Sequence, residues 1–298
     1  MDYAMTQNNL GVAYSTLAEV ENKTENCEKA IHAFQESLKA FTPEDFPMGY
    51  AMTQNNLGAA YRTLAQVKDR SSNCNKAIQF YQEALKVYTL EHFPMDYAMT
   101  QNNLGVAYCT LAEVKDKDSN CNKAIQFYQE TLKVCTLEDF PMEYAMTQNN
   151  LGTAYGILAE VKDKAGNCNK AIQAFQEALK VRILEDFPME YAMTQNNLGI
   201  AYRILAETED KAGNCNKAIQ AFQEALKVRI LEDFPMDYAL TQNNLGIVYQ
   251  TLAEIKDKAE NCEKAIQAFQ EALNVYTKEE FPEVYRIIEE NIKNVYEL

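Results

Sequence analysis

The chain has 298 residues, 47% of them apolar, with 28 Lys plus Arg against 43 Asp plus Glu and a net charge of −15. A body this acidic, without any run of Lys or Arg, repels phosphate backbones and excludes nucleic acid as a partner. Gly (10) and Pro (7) are scarce, which disfavours a turn-rich β architecture.

The segment Tyr3-Ala-Met-Thr-Gln-Asn-Asn-Leu-Gly11 returns from Tyr50, Tyr97, Tyr144 and Tyr191, and from Tyr238 with Leu240 replacing the Met; each start lies 47 residues after the last. A period of this size marks a stacked array in which each unit touches only its neighbours. The expected organisation is one domain over 1–298. Its repeats are 1–47, 48–94, 95–141, 142–188, 189–235 and 236–282, followed by a closing helix at 283–298.

Within a unit, the first helix is predicted from Met1 to Val20, where Tyr3, Leu10, Tyr14 and Leu17 recur at helical spacing. Gly11 and Ala18 flank that stripe. A Gly inside a helix costs about 1 kcal/mol against Ala, which suggests that a second helix approaches closely there. Glu21 to Glu25 is polar and breaks the pattern, and Asn26 reads as the N-cap of the second helix. That helix is expected to turn Ala30, Ile31, Phe34, Leu38 and Phe41 inward and to end near Thr42. In the link that follows, Pro47 suits a helix start and Phe46 suits a hydrophobic staple. From Glu283 to Leu298 the first helix recurs with Lys293 in place of Gly and Glu289-Glu290 in place of Gln-Asn, as suits a solubilising cap.

No GxSxG, P-loop, HExxH or GxGxxG occurs, so neither an enzyme nor a cofactor is expected. Cys27, Cys74, Cys121, Cys168, Cys215 and Cys262 are one repeat position. Layers about 8–10 Å apart are too distant for a disulfide ladder, whose Cα atoms must come within about 7 Å. There is no CxxC pair and there are only two His, His32 and His92, so no zinc site is expected. The chain opens on Met1-Asp2-Tyr3 without a basic or apolar leader and has no membrane-length apolar run, so a soluble, cytoplasmic protein is expected. Met1 stands where Met48, Met95 and Met142 stand later, so the array could extend beyond it.

The unit resembles the tetratricopeptide repeat, whose pattern is W-x₂-L-G-x₂-Y, then A-x₃-F, then P. Here it reads Gln7-x₂-Leu10-Gly11-x₂-Tyr14 and Ala30-x₃-Phe34, with Tyr81 and Tyr128 at the Phe position in the second and third copies. Gln7 replaces the leading Trp, and the period exceeds the usual 34 residues. Multi-repeat bacterial and archaeal proteins have similar enlarged units, and kinesin light chains have a similar Asn-Asn-Leu signature. The resemblance implies an all-α fold, a right-handed αα-superhelix of six helix-turn-helix repeats plus a C-terminal capping helix. It also implies a non-enzymatic scaffold for protein–protein interaction, with a concave groove lined by the first helices.

By that resemblance a second stripe, formed by Met5, Asn8, Asn9, Val12, Ser15 and Thr16, lines the groove. Asn9, Asn56, Asn103, Asn150, Asn197 and Asn244 form a ladder, beside Asn8, Asn55, Asn102, Asn149, Asn196 and Asn243. An Asn offers a donor and an acceptor, so either column could hold the backbone of an extended peptide or, alternatively, fix the stack. Columns that vary between copies are expected to set specificity. One reads Ser15, Arg62, Cys109, Gly156, Arg203, Gln250, and another at the end of the second helix includes Arg182 and Arg229. Arg182, Arg203 and Arg229 suggest a local cationic region suited to an acidic or carboxylate-bearing peptide. The alternative function is a spacer or self-assembly module of a larger signalling protein, associating through the uncapped first repeat.

Overall fold

The computed structural model describes all 298 residues and contains thirteen α-helices and no strand. The first helices of the repeats, termed A helices, are α1 (Asp2–Val20), α3 (Pro47–Leu64), α5 (Pro94–Ala112), α7 (Pro141–Ala159), α9 (Pro188–Leu205) and α11 (Pro235–Ala253). The second, B helices, are α2 (Lys23–Ser37), α4 (Arg70–Ala84), α6 (Lys117–Thr131), α8 (Lys164–Ala178), α10 (Lys211–Leu226) and α12 (Lys258–Leu273), and α13 (Pro282–Glu297) closes the chain. The chain divides into two compact units, Met1–Val161 and Lys162–Leu298. In the first unit each of α1, α3 and α5 packs on its own B helix, and each B helix on the next A helix; the second unit repeats this from α9 to α13.

The repeat Gly does what its spacing implies. In the first unit a Cβ on Gly11 would lie 2.5 Å from Phe34 Cε1, and one on Gly58 would lie 2.7 Å from Tyr81 Cε1. In the second unit Gly199 and Gly246 meet Phe222 and Phe269 in the same way. The rings are almost fully buried, so the backbone of each A helix rests directly on a ring of its B helix.

The start of the B helix differs from the sequence expectation. Asn26 lies inside α2, not at its cap: it is buried, and its Nδ2 donates to the Glu21 carbonyl at 2.8 Å. Asn73, Asn120, Asn167, Asn214 and Asn261 make the same bond to the carbonyl five residues earlier. The reversal itself is made four residues upstream, by Asn22, Asp69, Asp116, Asp163, Asp210 and Asp257, all left-handed with φ between 34° and 46°. Asn and Asp tolerate this region better than other residues with a side chain. Asp163 and Asp210 also cap their helices, accepting from the amides of Gly166 and Gly213. The polar break is therefore one sharp corner, and the B helix begins and ends earlier than expected.

Pro47 and its counterparts occupy the helix starts as expected, but Phe46 is the N-cap residue itself. Its ring packs against Phe41 at the end of the preceding B-helix segment, 5.9 Å between centroids, as Phe93 does on Tyr88 and Phe281 on Tyr276. The ring contact ties the end of each of these B-helix segments to the start of the next helix rather than stapling one helix.

Candidate functional site

Three faces of the A helix have separate roles. Ala4, Asn8, Gly11 and Ala18 of α1 are buried. Their spacing of four, three and seven keeps them on one side, toward the B helix. The columns of Thr6, Leu10, Ala13 and Leu17 are buried in α3 and α5, where they meet the preceding repeat, but are exposed in α1. Between these faces runs a third stripe, the columns of Met5, Asn9, Val12 and Thr16, which is exposed or half-buried in α3, α5, α7 and α9.

The expected binding stripe thus splits in two. Asn8, Asn102, Asn149 and Asn196 are buried, and Asn55 and Asn243 half-buried. Asn8 Oδ1 accepts from Thr53 Oγ1 at 3.2 Å and from Asn56 Nδ2 at 3.3 Å. Asn55 accepts likewise from Thr100 and Asn103, Asn102 from Asn150, and Asn196 from Thr241. This first Asn column joins one repeat to the next, which favours the scaffold alternative for it. The second column lies on the open stripe. Asn56 and Asn103 are half-buried and commit Nδ2 to the ladder, while no bond within the protein engages Oδ1. Asn9 is exposed, Asn150 and Asn197 are half-buried, and Asn244 is buried.

The variable column also moves. Position 15 lies about 40° around the helix from Gly11 but about 60° from Val12, so it turns toward the ring of the B helix. Cys109 is buried and receives a hydrogen bond from Tyr128 Oη at 3.7 Å; burial pushes its thiol up to about 12. Ser15, Arg62, Arg203 and Gln250 are half-buried, and Ser15 Oγ, Arg62 Nε and Arg203 Nε are shielded from solvent. In the first unit Arg62 stands beside the buried Tyr81 hydroxyl, whose pKa burial raises against the opposing pull of the guanidinium.

Arg182 and Arg229 do not form a cationic surface. They are 4% and 5% exposed, and each donates through Nη1 to a buried Thr, Thr194 at 3.0 Å and Thr241 at 3.1 Å. Arg229 also pairs with Asp237 at 3.1 Å. Burial lowers the pKa of both guanidinium groups, opposed by Glu190 and Asp237 respectively. The same place holds Phe41 against Gly49, Tyr88 beside Asp96 and Cys135 beside Glu143. This column matches each B-helix end to the next A helix, so its variation is a packing variation. The sequence signal was a carboxylate eight positions after each Arg, Glu190 and Asp237.

The repeated thiols are equally occupied with packing. All eight cysteines are free, and burial raises Cys74, Cys121 and Cys168 to about 11. No group of three or more His, Cys, Asp or Glu that could hold a metal ion is brought together, and no helix is long and apolar enough to cross a membrane.

A profile described as the tetratricopeptide repeat matches residues 2–90, the span of α1 to α4, whose sequence the later copies repeat. The repeat is a tetratricopeptide repeat. Among solved structures, BtubC (BKLC) from P. vanneervenii is 22% identical, covering 84% of this chain and 90% of that one with a TM-score of 0.57. MamA is 20% identical over 74% of this chain and 92% of its own, at 0.44. The TPR2AB-domain:pHSP90 complex of yeast Sti1 is 14% identical over 98% of each chain, at 0.33. The BtubC likeness is one of fold, and the other two superpose too loosely to carry an argument. No curated protein matches the chain at a significant level. The 47-residue period exceeds the usual tetratricopeptide period of about 34 residues.

Proposed function

We propose that the chain is a non-enzymatic scaffold that binds an extended peptide segment of a protein partner along the open stripe of its A helices. The observation that carries this reading is the second Asn column. Asn56, Asn103 and Asn150 each use the amide nitrogen to join the preceding repeat and keep a carbonyl on an accessible face, where a peptide N–H can donate to it. Such bonds go to backbone and demand no particular side chain, and the neighbouring Val12 column varies between copies and would tune the fit. Tetratricopeptide stacks present extended binding surfaces of this kind.

The test is the triple change Asn56→Ala/Asn103→Ala/Asn150→Ala, with partner capture and thermal melting measured together. Loss of one ladder bond costs about 0.5–1.5 kcal/mol, and the Thr bond to the first Asn column survives at Asn8 and Asn55. The variant should therefore stay folded and lose its partner. Retained capture by a folded variant, or unfolding at working temperature, would reduce the ladder to a structural device.

A second reading, self-association, is favoured by the outer face of α1. Tyr3, Leu10, Leu17 and Val20 are exposed there, whereas the Leu10 and Leu17 columns are buried in the later A helices. Sedimentation at rising protein concentration separates the readings: a dimer lost in Leu17→Glu supports association through this face.

A further inference from the structure

The open stripe is uncharged. The Met5, Asn9, Val12 and Thr16 columns carry no Asp, Glu, Lys or Arg in any A helix, although 24% of the chain is charged. Solvated helix faces are ordinarily polar and charged, as the outward faces of these B helices are, with Glu25, Glu28, Lys29 and Lys39 in α2 and its end. Copying could preserve an uncharged stripe through six repeats without any purpose.

The closing helix removes that explanation. In α13 the packing face has been rewritten: Arg286 stands at the Ala4 position, Glu290 at Asn8, Lys293 at Gly11 and Glu297 at Ser15. The preceding-repeat face stays apolar, with Ile288 and Val295 buried. The open stripe of the same helix reads Ile287, Asn291 and Asn294. It is uncharged, keeps the ladder Asn, and leaves Ile287 49% exposed. Charge has entered wherever packing was released and has stayed off the stripe.

We infer that this stripe receives an uncharged, aliphatic peptide segment, an inference that rests on the proposed peptide-binding function and names the chemistry of its ligand. Interaction surfaces deplete charge at their centres and enrich Met. A carboxylate on the ligand would find no cation on the stripe, because Arg182 and Arg229 are buried and engaged and Arg62 and Arg203 turn toward the B helices. The anions that border the stripe lie at its ends: Asp96 and Asp237 in the first turns of α5 and α11, the latter paired with Arg229, and Glu113 and Glu254 at the C-terminal ends, paired with Arg70 and Lys211. Burying an unpaired charge there has no compensation. The aliphatic character is strongest in the second unit, where Met193, Ile200 and Ile204 of α9 and Leu240 and Ile247 of α11 occupy the columns. The first unit has Val12, Val106 and Ile157 in the same columns but interrupts them with Ala59, Thr63, Thr110 and Thr153, so the branched anchor of the ligand belongs on the second unit.

The test selects a displayed library of random twelve-residue peptides on the immobilised full chain, reading enrichment by sequencing. Binders are then retested on Met193→Asp/Leu240→Asp and on Ile200→Thr/Ile247→Thr, the latter placing the Thr already present at Thr153. Enriched peptides should carry Asp, Glu, Lys and Arg at under about half their library frequency. Their affinity should change less than about twofold between low and high salt, since screening acts on charges. Binding should fall about tenfold or more in the Asp variant and several-fold in the folded Thr variant. Enrichment of charged peptides that still depends on these residues overturns the inference and leaves the peptide-binding reading standing. Enrichment indifferent to both variants, or no enrichment, overturns both.

Discussion

Substituting Ala at Gly58 and at Gly156 should move stability in opposite directions. Both are helical glycines of the first unit, and relief of the helix cost favours Ala by about 1 kcal/mol at each. At Gly156 a Cβ meets nothing within 4 Å, so that gain stands alone. At Gly58 the Cβ would lie 2.7, 2.8 and 3.0 Å from three carbons of the Tyr81 ring, which is fully buried. The ring cannot turn away into solvent, so α3 and α4 must separate. Overpacking of this kind costs about 1–3 kcal/mol, leaving Gly58→Ala net destabilised by about 1 kcal/mol. With a urea slope of about 2 kcal/mol/M, the two midpoints should shift by about 0.5 M in opposite senses. Equilibrium urea unfolding followed by far-ultraviolet circular dichroism reads this directly. If Gly58→Ala raises the midpoint as much as Gly156→Ala does, the ring contact is not what keeps Gly in the repeat.

Asp210 holds the left-handed corner before α10 and caps Gly213. Its change to Ala should cost about 1–2 kcal/mol through strain and the lost cap, and its change to Gly much less, as thermal melts would show. The buried thiols predict alkaline lability. Burial raises Cys74, Cys121 and Cys168 to about 11 from an ordinary 9.0. The unfolded chain therefore releases these protons near pH 9 while the folded chain holds them to about 11. Their contribution is fully present below pH 9 and lost as pH climbs through 11. The urea midpoint under reducing conditions should fall across that window, and Cys74→Ala/Cys121→Ala/Cys168→Ala should flatten the fall. An undiminished slope in the triple variant would assign it to other groups.

Much of the fold was legible because periodicity reports packing directly. Gly11 and Phe34 announced a close contact, and the structure contains it. What escaped were features set by backbone geometry or by small angles. Asn26 reads as a cap by residue type, yet the corner is made by Asn22, and only the Asn/Asp identity of that column in every copy hinted at it. At the candidate site, one stripe was read where two exist. Asn8 and Ser15 differ from Asn9 and Thr16 by a single residue step, about 100° of helix, enough to turn a column from ligand-facing to buried. Arg182 and Arg229 misled for a further reason. A surface is where Arg ordinarily stands, and the partners Glu190 and Asp237 lie across a loop that sequence spacing does not close.

The amide ladder also sets a ruler. In the first unit Asn56 and Asn103 each reach back to the preceding A helix, which fixes the interval between successive open carbonyls at the spacing of packed helices, roughly 8–10 Å. A polyproline-type chain advances about 3.1 Å per residue and returns to the same side every third residue, about 9 Å on. A β-strand returns every second residue, about 6.6 Å on, and falls out of step after one repeat. A chain lying along the stripe would therefore be met once in every three residues. Its backbone N–H groups would be engaged in a three-residue rhythm set by the distance between helices.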